Sequence, residues 1–157
     1  MIRKDVIALW QVLNQLKNKE FDNFKFTYAL AKNKRMLQSE IDTLQEVRQP
    51  SLAFQEYSQK RNEMLTRLSK KDEKGKPIIE DNLFVLENPD EASIEMEKFN
   101  EENKKVIDDN DIKEKNFKLL MDDEVEIKHY KVKLSNVPKK GLTPSQMEVL
   151  LVIIDEE

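Results

Sequence analysis

The 157-residue chain has no cysteine, a single histidine, a single tryptophan and only two glycines. Without cysteine there can be no disulfide, no thiolate nucleophile and no cysteine-ligated zinc or iron–sulfur site. Gly75 and Gly141 are too few for the many turns of an all-β fold, and neither GxGxxG nor GxxxxGK can be assembled from them. Long apolar runs are missing too. The longest, Val149–Ile154, falls far short of the ~20 residues of a membrane span. The N-terminal stretch "MIRKDVIALWQVLNQLKNKE" starts basic, but Gln11, Asn14 and Gln15 break up its apolar positions and no small-residue cleavage site follows. It reads as an amphipathic helix and not as a signal peptide. The expectation is a soluble intracellular protein with no membrane attachment.

What is present is helix-forming and charged. Hydrophobic residues make up 38% and charged residues 37%, a polar composition that one domain of this length can still organise around a core. The net charge of −4 conceals a split. Residues 1–76 hold 16 Lys+Arg against 10 Asp+Glu, a net of +6, and residues 77–157 hold 11 against 21, a net of −10. Either each half solvates its own surface, or the basic half offers a face to an anion. A binder of duplex nucleic acid would be more basic overall, so duplex binding is not expected.

Val6, Leu9, Trp10, Leu13 and Leu16 recur at spacings of three and four, predicting a first helix over residues 4–18 with Trp10 as its core anchor. Asp22 is a candidate N-cap for the next segment, about Asn23 to Lys71. There Leu30, Leu37 and Leu44 recur every seven residues with Ile41 and Val47 beside them; Phe54, Tyr57, Met64, Leu65 and Leu68 continue the stripe beyond Pro50. One straight helix of ~50 residues would span ~75 Å, against a radius of gyration of ~15 Å for a compact domain of this size. A break near Gln49–Pro50–Ser51 resolves the conflict, since an interior proline costs a helix ~3 kcal/mol.

Farther on, Asp72–Lys76 is a turn signal, and Ile78–Leu86 reads as one or two short strands with Glu80–Asn82 as a tight turn. Asn88-Pro89-Asp90-Glu91 predicts a capping box opening a helix to about Ile107, with a short helix around Ile112–Met121 after it. Val125 to Leu134 suggests a strand, alternating strictly from Tyr130 with lysines on the solvent face. Thr143-Pro144-Ser145-Gln146 is a second capping box, opening a last, nearly apolar helix to about Ile154 that would be buried or docked on a partner.

The candidate site is the polar cluster in "YALAKNKR". On a helix Tyr28, Lys32 and Arg35 share a face, with Lys25 one turn earlier. An aromatic ring beside three cations could stack on a base and neutralise a phosphate. The plainer alternative is a solvated helix face with Tyr28 at the edge of the core. Carboxylate pairs such as Asp108–Asp109 have nothing around them that predicts the burial acid–base chemistry needs. "DDNDIKE" lacks the glycine and the bidentate glutamate of a calcium loop. His129 has no serine or acid placed to make a triad and reads as a strand-surface residue. No catalytic residue, cofactor or metal is therefore expected, and an enzyme is the least favoured class.

The run Phe26-x-Tyr28-Ala29-Leu30-Ala31-Lys32-Asn33-x-x-x-Leu37-x-x-Glu40, with Leu44-Gln45-Glu46 after it, resembles small uncharacterised proteins encoded by tailed bacteriophages. Members share a short helix, a long helix with a Y-A-x-A-K-N run, a DxxGxP-type turn (here "DEKGKP", Asp72–Pro77) and a small β element. The distal "EVEIKHYKVKLSNVP" and "LTPSQMEVLLVII" resemble their closing strand and helix. The resemblance implies phage origin and supplies no activity.

Together these readings predict an α+β, predominantly helical single domain, 1–157, with a basic helical part at 1–72 and an acidic α/β part at 73–157. It comprises an N-terminal helical hairpin whose second helix is kinked or broken near Pro50, a small antiparallel sheet and two further capped helices. The expected function is non-enzymatic binding of a small anionic ligand, such as a host nucleotide signal in phage counter-defence, or of a host or phage protein. A structural or assembly role in a phage particle is the alternative; a homo-oligomer is expected in either case.

Overall fold

A computed structural model describes residues 1–155. It is predominantly helical α+β. Six helices follow in order: α1 (Arg3–Leu16), α2 (Phe24–Arg48), α3 (Leu52–Leu68), α4 (Pro89–Glu102), α5 (Lys104–Asp122) and α6 (Pro144–Leu150). Four two-residue strands join them: β1 (Ile79–Glu80), β2 (Leu83–Phe84), β3 (Val132–Lys133) and β4 (Ile154–Asp155). Contacts divide the chain into two compact units. The first is Met1–Arg48 with Asn116–Glu157, the second Gln49–Lys115. This division differs from the 72/73 boundary drawn from charge. The second unit holds 12 Lys+Arg against 17 Asp+Glu, a net of −5, and the first 15 against 14, a net of +1.

The first unit is built on the α1–α2 hairpin. Arg3 pairs with Glu40 at 2.8 Å, Trp10 donates to Gln38 at 3.2 Å and Asn14 accepts from Lys34 at 3.0 Å, so the two helices run antiparallel. Val6, Leu9, Val12, Leu13 and Leu16 of α1 are buried against Phe26, Ala29, Leu30, Leu37 and Ile41 of α2. Each of these side chains other than Ala29 contributes about 1.5–3 kcal/mol of burial. Trp10 is only half-buried and lies at the rim of this core, and Val47 is 44% exposed. Val47 thus departs from the sequence reading by facing solvent near the end of α2, and Trp10 by packing at the edge of the core without being enclosed by it.

The cap of α2 is also displaced by one residue. Asn23 Oδ1, and not Asp22, accepts from Phe26 N at 3.2 Å. The core closes with Val132, Leu150, Ile153 and Ile154. Thr143 and Gln146 form the reciprocal capping box of α6, at 3.2 and 3.1 Å. That helix stops at Leu150, shorter than expected; a 3-10 turn at Leu151–Ile153 and β4 follow, and β4 pairs in parallel with β3 (Val132↔Ile154).

Of the predicted strand from Val125 to Leu134 only β3 is strand. Leu134 already belongs to a 3-10 turn, Leu134–Asn136, and the stretch before β3 is held by partners that are not a sheet: Val125 N donates to Met1 O at 2.9 Å, and Tyr130 is held by the side chain of Asn33. His129 therefore lies off any strand and is half-buried.

In the second unit α3 begins after Pro50, with Ser51 Oγ accepting from Phe54 N at 3.2 Å. The chain therefore breaks where the proline forbids continuation. Tyr57, on α3, stacks on Phe99 of α4 (centroids 5.4 Å apart, planes 9° apart) and donates its hydroxyl to Asn100 at 2.8 Å. β1 and β2 form the antiparallel hairpin, and Asp81 and Asn82, with φ of 49° and 65°, make its two-residue turn. Asn88 caps α4 through Glu91 N at 3.4 Å.

The sequence reading carried this helix on to Ile107 and then expected only a short helix at Ile112–Met121. Instead Asn103 ends α4, its side-chain amide donating to Phe99 O at 2.8 Å, and α5 starts at once, running 19 residues through "DDND". Among the described residues only Tyr57, Ser69 and Ala92 of this unit are buried. Its core is sparse.

Candidate anion-binding cleft between α1 and α2

Where the hairpin opens towards its connecting loop, a cleft of about 350 Å³ lies between α1 and α2. Its volume is at the small end of the roughly 300–1,000 Å³ of small-molecule sites. The floor is apolar: Leu13 and Leu16 from α1, Leu30 and Ala31 from α2. The rim is cationic. Lys17 and Lys19 come from the end of α1 and the loop, Lys34 and Arg35 from α2. Thr27 and Gln38 complete the lining, and no aspartate or glutamate belongs to it.

The rim is partly held in place. Lys34 Nζ donates to Asn14 Oδ1 at 3.0 Å and stands 6.0 Å from the Trp10 ring centroid, a cation–π arrangement. Lys19 Nζ donates to the carbonyl of Gly141. Gly141 has φ of +97°, a conformation that favours glycine, and packs beside Phe21 and Lys19. Each ammonium has three donors, so one anchoring bond leaves others for a ligand. An anion with an apolar body would meet the floor with the body and the rim with the charge.

Of the four residues singled out from the sequence, Arg35 lines this cleft. Lys25, Tyr28 and Lys32 do not; all three are exposed on α2 outside it. Tyr28 packs edge-on against Tyr130, with centroids 5.3 Å apart and planes at 77°, and is 46% exposed. Lys17, Lys19 and Lys34 were missed as site residues. Lys17 and Lys19 are legible as cations closing α1, but their convergence with Lys34 depends on how the hairpin folds back.

His129 is a separate feature of this unit. Its Nδ1 is buried without a hydrogen-bond partner among the described residues. Burial, with Lys131 nearby adding to it, holds its pKa below the usual 6.5. Among the described residues no three His, Asp or Glu side chains group as a cation site, and no helix is long and apolar enough to cross a membrane. Comparison with protein-family models, curated proteins and solved structures finds no match to the chain.

Proposed function

We propose that this protein is a non-enzymatic binder of a small anionic ligand, held in the α1–α2 cleft, with nucleotides the leading class. The observation that carries the reading is the rim of four cations over an apolar floor, with no carboxylate in the lining to neutralise it. In a unit whose net charge, these four included, is only +1, that convergence is local. A phosphate would take the cations and a base or sugar the floor. The likeness to small phage proteins suggests the setting: sequestration of a host nucleotide signal in the host cytoplasm, as a counter-defence.

The test is thermal shift of the full chain with cyclic and linear nucleotides and with inorganic phosphate. A ligand at about 100 times its Kd adds about 2.7 kcal/mol, a rise of roughly 10–20 °C for a unit of this size. Arg35→Ala and Lys34→Ala should each cut the rise by roughly a third to a half at the same ligand concentration. No stabilisation by any nucleotide would sink the reading.

A second reading, a structural or assembly component of a phage particle that works through helix packing, is favoured by large apolar side chains left in solvent. Phe24 is 80% exposed and Leu52 72%. Recovery of the protein in purified virions, as an oligomer, would favour it over sequestration.

A further inference from the structure

The second unit carries a groove of about 800 Å³ that the anion-binding reading leaves unused. Leu65 of α3, Leu86 of the segment after β2, and Pro89, Ala92, Met96 and Ile107 of α4 and α5 form its apolar surface. Glu97, Glu101 and Asp108 stand along it. Its only cation is Lys104, which is spent on Asp108 at 3.9 Å. Glu97 and Glu101 have no ion pair among the described residues. The helix that supplies most of the surface is strongly acidic, with six Asp+Glu against Lys98 alone.

A second observation points the same way. Residues 49–115 bury only Tyr57, Ser69 and Ala92 among the described residues, while Leu65, Leu86, Met96 and Ile107 are left half-buried around the groove. A unit of this length with so thin a core is marginal unless further apolar surface is covered. Methionine, flexible and polarisable, suits a surface that adapts to an incoming side chain. Apolar floor and acidic edge together specify the complement: an amphipathic helix with a stripe of leucine-like side chains flanked by lysine or arginine.

We propose that this groove is a docking site for a basic amphipathic helix of a partner protein. The helix lays its apolar stripe over Leu65, Met96 and Ile107 and sets its cations against Glu97 and Glu101.

The test uses the full chain and two fluorescent helical peptides about 14 residues long, roughly four turns. One carries a leucine stripe flanked by lysines; the other has every lysine replaced by glutamate. Anisotropy titrations at about 0.15 M salt are expected to give saturable binding of the lysine peptide at least about tenfold tighter than that of the glutamate peptide. Met96→Arg, and Glu97→Lys with Glu101→Lys, should each weaken it at least about tenfold, whereas Glu56→Lys outside the groove should leave it unchanged. Amide chemical-shift mapping on the unaltered protein, which needs no variant to fold, should place the perturbed residues within Leu65–Asp108. Equal affinity for both peptides, or perturbations centred on residues 1–48, would overturn the proposal. So would sedimentation showing that the chain self-associates and that Met96→Arg abolishes the association, since the occupant would then be a second copy.

Discussion

Asn33 holds Tyr130 by both of its backbone hydrogen-bonding groups: Tyr130 N donates to Asn33 Oδ1 and Asn33 Nδ2 donates to Tyr130 O, each at 2.8 Å. The same Nδ2 also donates to Ala29 O at 2.9 Å. A side-chain amide thus takes the place of a neighbouring strand and fastens the extended segment before β3 to α2. Asn33 is fully buried, so its polar atoms have no water to fall back on. The asparagine of the Y-A-x-A-K-N run is accounted for by architecture.

Asn33→Ala should therefore cost about 2–4 kcal/mol, from two or three lost hydrogen bonds and the groups left unpaired. Asn33→Leu should do no better, because it restores bulk and not the donors and acceptor. Urea unfolding with hydrogen exchange at Tyr130 would check both: the amide of Tyr130 should lose its protection even where the remainder of α2 keeps its own.

The two units should respond differently to truncation of buried side chains. Leu37→Ala in the α1–α2 core should cost about 2–5 kcal/mol; Leu52→Ala, a solvent-exposed control at 72% exposure, should stay within about 0.5 kcal/mol. Tyr57→Ala removes the stacking partner of Phe99 and one of the few buried side chains of residues 49–115. With so little else buried there, that unit should lose its exchange protection below the temperature at which residues 1–48 lose theirs.

How far the sequence discloses this fold depends on whether a signal is local. Pro50, the Thr143–Gln146 box, the Asn88 cap and the Asp81–Asn82 turn all act on their own backbone, and each sits where it reads. The extent of α5 does not follow that rule. Asp108, Asp109, Asn110 and Asp111 look like a loop, yet each weak helix former costs only up to about 0.7 kcal/mol, and the helix runs through them. The segment before Tyr130 fails for the opposite reason. Val125 and Ile127 are spaced as in a strand, though strict alternation begins only at Tyr130, and the partners are the N-terminal residues and, at Tyr130, one asparagine side chain, which no periodicity reveals. The candidate site was half legible in the same sense: Arg35 on α2 could be read, while Lys17 and Lys19 reach it only through the hairpin's return.

That distinction separates two arcs of α2 experimentally. If the anion sits in the cleft, Arg35→Ala and Lys34→Ala should weaken nucleotide binding several-fold to tenfold, about 1 kcal/mol each or somewhat more. Lys25→Ala and Lys32→Ala, outside the lining, should change it less than twofold. Equilibrium titration of the four variants with the best nucleotide from the thermal screen reads the difference, and an inverted order would move the site to the Tyr28 face.

His129 supplies the pH dependence. Its folded pKa lies below the usual 6.5 because burial and Lys131 disfavour the imidazolium. The unfolded chain consequently binds the proton more readily than the folded one, and stability rises with pH where the two states differ in protonation. The stabilisation is fully present above the unfolded value and is lost as pH falls from there through the folded pKa. Melting temperature should therefore decline as pH drops below about 6.5. His129→Gln, which cannot take the proton, should flatten that decline while leaving the acid-range loss below about pH 5 in place. Matched thermal scans of the two proteins from about pH 8 to pH 5 decide it: parallel curves would mean that the buried Nδ1 carries none of the dependence.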